Sequence, residues 1–291
     1  MKRSSRWISI FACFGGLIGA FLIAPVPSKP VTLDEAIKAE VIIAKHIEAI
    51  GPPDLLKSIN SHVIRGTCKY TFRSGISGQA AGDVAMASDG AKSLIAMAFA
   101  GTDYPAEQLA FDGKQVTTSY IRPGARTPLG SFILMDQAIV KEGLMGGVLG
   151  SSWPLLDLTA RNPKLEFGGT RKVENRQFYV LRYKPRGGSD FSINLYFDKE
   201  TFLHVRSEYD RLVSAQIGRG VDASAGVRST RYHMNEEFSD FKSESGLTMP
   251  HTYKLQIRAE TPNGAQQSEW SLTLNEFKFN LPIDASLFKL N

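Results

Sequence analysis

The strongest constraint on the fold is a pair of alternating runs in residues 191–209. Apolar and polar side chains alternate on both sides of the turn Asp198-Lys199-Glu200-Thr201. Period-two alternation around a four-residue turn indicates an antiparallel hairpin with one apolar face and one solvated face. The apolar face is predicted to carry Ile193, Leu195, Phe197, Leu203 and Val205, and the solvated face His204, Arg206 and Glu208. We interpret Asp198 and Glu200 as turn residues.

The same pattern recurs along most of the chain. Residues 62–73 alternate, and Asp89-Gly90 and Asp112-Gly113 each join two alternating runs. Asp-Gly is typical of tight hairpins, because their turns need positive φ. Further strands are predicted near 165–183, 230–260 and 269–279, with a bulge near Asn275-Glu276 to reconcile the parities of the last strand. About eleven strands predict a strongly curved antiparallel sheet wrapped around helices, in the mainly β (α+β) class.

Helical patterns interrupt the strands in two places. The capping box Thr32–Glu35 precedes a helix that ends at Gly51-Pro52-Pro53, and a short helix is predicted over residues 54–60. A second helix is predicted over Phe132–Leu149. It is apolar on more than one side, and glycines weaken its second half, so we expect a mobile cover over an apolar surface.

The N-terminal residues have the form of a secretory signal. Lys2, Arg3 and Arg6 precede an apolar run that ends at Ala24, and cleavage after Ser28 is tolerable. The run is also long enough for an uncleaved inner-membrane anchor. We therefore expect a signal peptide or anchor over 1–28, a single domain over 29–291, and a periplasmic location with inner-membrane association as the alternative. The remaining charge is nearly balanced, which argues against nucleic-acid binding.

The sequence offers little that suggests catalysis. The five histidines (His46, His62, His204, His233 and His251) lack metal-ligand spacing, and we expect them at the surface. No nucleophile elbow or nucleotide motif is present. Glu236, Glu237 and Asp240 are interpreted as salt-bridged surface carboxylates. Cys68 shares an apolar parity with its neighbours, so a buried small hydrophobe is expected. We predict no enzyme activity, no metal and no cofactor.

The sheet supplies many apolar side chains to its inner face. A barrel of this many strands is wider than its own side chains can fill, so helices, ligand or both must occupy the remainder. The candidate cavity residues on the strands are Tyr70, Phe72, Met97, Phe99, Leu181, Ile193, Leu195, Phe197, Leu203, Val205, Leu255, Ile257, Trp270 and Leu272, and those on the covering helix are Phe132, Met135 and Ile139. An ordinary packed core is the alternative for most of them.

The order of several short segments resembles that of a known family. These segments are Ala49-Ile50-Gly51, Phe111-Asp112-Gly113-Lys114, residues 196–203, Phe238-Ser239-Asp240-Phe241 and residues 246–250. In this order the chain resembles the outer-membrane lipoprotein-sorting proteins and their LolA/LolB-like relatives of the bacterial envelope. The resemblance implies an unclosed antiparallel β-barrel whose helices cover an apolar concavity that holds acyl chains. The resemblance does not identify any residue of this chain as one that docks a protein partner.

Two functions remain after these exclusions. The leading hypothesis is non-catalytic binding of lipid or lipoprotein acyl chains, for transport or sorting across the envelope. Burial of each methylene contributes about 0.8 kcal/mol, so a long chain gains substantial affinity. The alternative is an envelope sensor or scaffold of the same fold that binds a protein partner.

Overall fold

An antiparallel sheet dominates the structure, a computed structural model that describes residues 38–214, 229–261 and 264–290. The predicted signal segment, the capping box and residues 215–227 of the predicted loop lie outside these ranges. The strands are β1 Ser61–Ser74, β2 Ile76–Asp89, β3 Lys92–Phe99, β4 Ala106–Phe111, β5 Val116–Thr118, β6 Tyr120–Arg122, β7 Ala125–Arg126, β8 Lys164–Val173, β9 Arg176–Lys184, β10 Ser192–Asp198, β11 His204–Val213, β12 Thr230–Glu244, β13 Leu247–Thr261 and β14 Gly264–Phe279.

Twelve of these strands form one sheet, in the order β5-β4-β3-β2-β1-β14-β13-β12-β11-β10-β9-β8. Chain neighbours pair throughout, except that β1 pairs with β14 in the middle of the sheet. The edge strands β5 and β8 do not pair within the described residues, so the sheet is not closed. The predicted fold class, a curved and unclosed antiparallel barrel, is confirmed, with twelve strands instead of about eleven. Strands β6 and β7 form a separate hairpin.

The predicted turns are present. Gly90 and Gly113 have φ values of 55° and 93°, the left-handed region that glycine adopts without cost. One carboxylate oxygen of Asp198 accepts hydrogen bonds from the backbone N–H groups of Glu200 (3.1 Å) and Thr201 (3.0 Å). Asp198 is therefore the turn residue that the sequence predicted.

The predicted bulge in β14 is also confirmed. Arg65 is opposite Glu276, and Gly66 is opposite Leu274, so Asn275 is the extra residue. Beyond the bulge, Phe277 and Phe279 return to the inner face of the sheet beside Ile64 and His62. A Cβ on Gly66 would collide with the carbonyl group of Thr273, so glycine is needed where the strands approach.

The helical pieces are shorter than the sequence predicted. They comprise α1 Ala39–Ile50, α2 Pro53–Ser58, α3 Pro128–Ile133, α4 Ala138–Lys141 and α5 Leu158–Arg161, with 3-10 turns at Gly147–Leu149, Pro154–Leu156 and Ala285–Phe288. The single helix predicted over Phe132–Leu149 is wrong. Gly143, Gly146 and Gly147 adopt φ values of 74°, 79° and 53°, which a continuous helix cannot contain. Within the described ranges, none of the helices has the length and apolar character needed to cross a bilayer.

The core lies between the inner face of the sheet and these helical pieces. Helix α1 buries Ile42, Ile43, His46 and Ile50 against it, and its contacts include β8 and β13. The C-terminal turn packs against β3, where Phe288 is fully buried. The remaining room above the inner face is taken by residues 127–161, which we call the cover.

Candidate functional site

The cover lies over the inner face and is tied to the sheet by polar contacts at several points along its length. Backbone groups of the cover take part in most of them. The contacts are Leu129 N–H to Glu107 (3.2 Å), Arg211 to the Met135 carbonyl (2.6 Å), Tyr183 to Glu142 (2.9 Å), Gly146 N–H to Glu236 (2.7 Å) and His62 to the Leu149 carbonyl (3.1 Å). Because irregular backbone needs partners when it is buried, these side chains stabilise the cover in place.

Most of the predicted cavity residues lie in one apolar core beneath the cover. Tyr70, Met97, Phe99, Phe132, Ile139, Leu181, Ile193, Leu195, Phe197, Leu255, Ile257, Trp270 and Leu272 are all buried there, and Phe72 and Met135 pack against it partly exposed. Side chains of the cover, including Leu144 and Trp153, fill much of the same space. Contact of these residues with a ligand stays a prediction.

Two predicted cavity residues do not face the core. Phe197 is paired with His204, so the register of β10 and β11 shifts at Val205. His204 therefore takes the inward position, and Val205 packs on the outer face with Phe178, Val180 and Tyr196. Leu203 precedes β11 and belongs to neither apolar cluster. The inward placement of Leu203 and Val205 was wrong because strict alternation across the turn overlooked this bulge.

An open pocket of about 390 Å³ lies between the cover and the inner faces of β12, β13 and β14. Its apolar lining comes from Ile121, Pro128, Phe132, Met135, Ile257 and Ala259. Its polar lining comes from Arg126, Ser131, Tyr232, Gln266 and Ser268. A mostly apolar concavity of this size with a few polar groups is typical of small-ligand sites. Three predicted cavity residues, Phe132, Met135 and Ile257, meet at this pocket.

Glu236 on β12 is fully buried on the sheet's inner face. Its carboxylate accepts hydrogen bonds from the hydroxyl groups of Tyr209 and Tyr253, each at 2.6 Å, and from the Gly146 N–H. Burial raises the pKa of Glu236, and these hydrogen bonds oppose that shift. The predicted surface position was wrong. The clue in the sequence was that Glu236 shares its parity with Met234 and Phe238, both of which are core residues.

A second buried carboxylate, Glu107, lies below the start of α3. It accepts hydrogen bonds from Tyr104 (2.7 Å), from the capping residue Thr127 and from the backbone of Leu129 (3.2 Å). Burial raises the pKa of Glu107 to about 7, despite these stabilising contacts. The indole of Trp270 donates to the Tyr104 hydroxyl at 3.0 Å. Glu107 thus connects the first turn of the cover to the centre of the sheet.

Four of the five histidines are buried, which corrects the expected surface positions of His46, His62, His204 and His251. Between α1 and the cover, the Trp153 indole donates to His46 Nε2 at 3.1 Å, and His46 Nδ1 donates to the Phe202 carbonyl at 3.1 Å. Burial lowers the pKa of His46 to about 4. Such a histidine stays neutral and joins α1 to both partners.

Ser207, His204 and Glu236 do not form a nucleophile triad. Ser207 lies 3.0 Å from His204 and also hydrogen-bonds to Glu236, and all three residues are fully buried. In a Ser-His-Asp triad the carboxylate orients the histidine, whereas here it contacts the serine. Cys68 is buried as predicted, and burial raises the pKa of its thiol to about 11. No cluster of three potential metal ligands occurs among the residues that the structure describes.

The outer face of the sheet carries a second concavity, a shallow groove of about 490 Å³ across β1–β4. Small side chains form much of its floor, namely Gly66, Ala85, Ala96 and Ala98. Arg65 and Asp83 also line it, so its charge is mixed. We call it the outer groove.

Several solved structures are similar to this chain. A LolA superfamily protein from Nitrosomonas europaea matches with a TM-score of 0.47 and 12% identity, over 88% of this chain and 99% of that one. A DUF1329 family protein from Desulfovibrio piger gives 0.39 and 12%, over 86% and 96%. A putative outer membrane lipoprotein-sorting protein domain from Vibrio parahaemolyticus gives 0.39 and 10%, over 85% and 94%. No protein-family model and no curated protein matches the sequence significantly.

Proposed function

We propose that this protein binds acyl chains of a lipid or lipoprotein without catalysis, for transport or sorting within the bacterial envelope. The observation that carries the proposal is the apolar pocket between the cover and strands β12–β14, which adjoins the main core through Phe132 and Ile257. The predicted signal segment supports an envelope location.

The pocket suits a segment of an acyl chain. Six of the eleven residues that line the pocket are apolar. The flexible side chain of Met135 can adapt the pocket to ligands of different shape. Part of a chain buried there gains about 0.8 kcal/mol for each methylene removed from water. A longer chain requires displacement of cover side chains from the core. The hydrogen bonds between the cover and the sheet define the position to which the cover returns after the ligand leaves.

The proposal is tested by lipid extraction and by pocket filling. Organic extraction of the purified protein followed by mass spectrometry should recover an acyl lipid, and dodecanol should bind in isothermal titration calorimetry. Ala259 is partly exposed and lines the pocket, so Ala259→Trp should abolish binding. The matched variant Ala96→Trp fills the outer groove instead and should bind normally. Absence of lipid and of dodecanol binding in the unmodified protein would reject the acyl function.

The outer groove favours a second candidate, an envelope sensor or scaffold that binds a protein partner. A wide floor of alanine and glycine lets another backbone approach the sheet closely, and the mixed charge of Arg65 and Asp83 suits a polar peptide surface. For partner binding, the expected effects of Ala96→Trp and Ala259→Trp are the reverse of those for acyl binding. Ala96→Trp should abolish capture of a defined envelope partner by the delipidated protein, whereas Ala259→Trp should retain it.

A further inference from the structure

Arg126 stands out in the pocket because it has no acidic counterpart. It is the only charged side chain in the pocket lining among the described residues, and no carboxylate in those ranges forms an ion pair with it. The neighbouring Arg211 is different, since it pairs with Asp190 at 2.6 Å and does not line the pocket. The pocket therefore carries an unbalanced positive charge at one side of an apolar surface.

The guanidinium of Arg126 is held in a defined orientation. Its Nη1 donates to the Thr118 hydroxyl at 2.8 Å, and its central carbon lies 4.3 Å from the centre of the Tyr120 ring. An arginine has five N–H donors in a planar fork, and these contacts leave Nε and Nη2 available. Such a fork matches the paired oxygens of a carboxylate or phosphate.

The rest of the polar lining is compatible with an anion. Ser131, Tyr232, Gln266 and Ser268 are uncharged and can each donate a hydrogen bond. No aspartate or glutamate of the described chain lines the pocket, so none of the described carboxylates would repel a bound anion there. On the other side, Phe132, Met135 and Ile257 offer an apolar path toward the core.

We propose that the pocket is a head-group site for an anionic acyl amphiphile, in which Arg126 binds the carboxylate or phosphate attached to the chain. The chain lies against Phe132, Met135 and Ile257, while Thr118 and Tyr120 orient the arginine. This inference rests on the proposed acyl-binding function and adds the chemical class of the ligand.

The test compares three ligands with the same chain, namely dodecanoate, dodecyl phosphate and dodecanol, by isothermal titration calorimetry with the full protein. At least one anion should bind about tenfold more tightly than the alcohol, because hydrogen bonds to a charged group are stronger than those to a neutral hydroxyl. Arg126→Gln should remove that advantage, so that the anions and the alcohol bind with similar affinity. The anion that loses more affinity identifies the source of the head group, a fatty acid or a phospholipid.

Arg122 supplies the matched control. It is exposed on the same hairpin, has no ion pair in the described chain and does not line the pocket. Arg122→Gln should leave all three affinities unchanged; an equal loss in both variants would indicate a general charge effect and overturn the site. Arg126→Lys keeps the positive charge and should retain part of the preference for the anions over dodecanol. The melting temperature of each variant reports whether it is folded.

The possible outcomes separate the two proposals. Equal binding of dodecanol and both anions overturns the head-group site while acyl binding stands. Failure of all three ligands rejects acyl binding, and the head-group site with it.

Discussion

The Glu236 carboxylate accepts a hydrogen bond from the Gly146 backbone N–H at 2.7 Å, although the two residues are 90 positions apart. Glu107 makes the equivalent contact with Leu129 N–H, near the start of the cover. Two buried carboxylates of the sheet therefore bind the cover near its start and near its middle. A carboxylate suits this role because it accepts several hydrogen bonds from otherwise unpaired donors.

Removal of the Glu236 carboxylate should strongly destabilise the protein. In Glu236→Ala, the hydroxyls of Tyr209 and Tyr253 and the Gly146 N–H lose their shared acceptor while they remain buried. We expect a loss of about 3 kcal/mol in the free energy of unfolding, measured by urea denaturation. Glu237→Ala on the outer face should cost less than about 1 kcal/mol. Similar losses in both variants would contradict the role assigned to Glu236.

Glu107 should make stability depend on pH in a predictable direction. Below pH 4.5 the group is protonated in both the folded and unfolded chain. Between 4.5 and about 7 only the folded chain keeps the proton, so its contribution to the free energy of unfolding falls as pH rises. Above 7 no further change follows.

The measurement is the difference in unfolding free energy between wild type and Glu107→Gln. It should decline by roughly 3 kcal/mol from pH 4.5 to 8, because one pKa unit corresponds to about 1.36 kcal/mol. Subtraction cancels the contribution of the histidines, which are common to both proteins. A flat difference for Glu107→Gln would show that this carboxyl titrates normally in the folded protein.

Gly143 of the cover is required more strictly than Gly124 of the β6–β7 hairpin. Gly143 and Gly124 have φ values of 74° and 79°, so an alanine at either position is strained by about 1 kcal/mol. A Cβ at Gly143 would also collide with the Ser152 carbonyl. At Gly124 a Cβ would have no atom of a non-adjacent residue within 4 Å. Gly143→Ala should therefore cost about 1–3 kcal/mol more than Gly124→Ala in chemical denaturation. Equal costs would mean that the cover shifts freely.

The shifted register of the β10–β11 hairpin predicts unequal effects for two leucines. Leu195 is fully buried, so Leu195→Ala should cost about 3 kcal/mol of unfolding free energy. Leu203 is outside both apolar clusters, and Leu203→Ala should cost less than about 1 kcal/mol. Chemical denaturation of the two variants checks this order. A larger loss of unfolding free energy in Leu203→Ala would instead support the inward position that strict alternation predicts for Leu203.

The elements that sequence could predict are those governed by local rules. The turns at Asp89-Gly90 and Asp198–Thr201 follow from positive φ and side-chain capping, and the parity conflict between Leu274 and Phe277 revealed the Asn275 bulge. The bulge at Val205 left no such conflict, because Leu203 and Val205 are both apolar. The buried positions of Glu236 and His46 depend on partners 90 or more residues away, Gly146 and Trp153. Local alternation cannot supply such partners.

The pairing of β1 with β14 has a consequence for how this chain acquires its fold. Within the described residues, strands β1–β5 are joined to strands β8–β13 only through β14 (Gly264–Phe279). The hydrogen-bonded sheet therefore cannot be completed until β14 has formed. Such distant pairing slows folding and leaves strand edges exposed meanwhile. Until β1 and β14 pair, each half of the sheet presents an unpaired strand edge to which another chain can add.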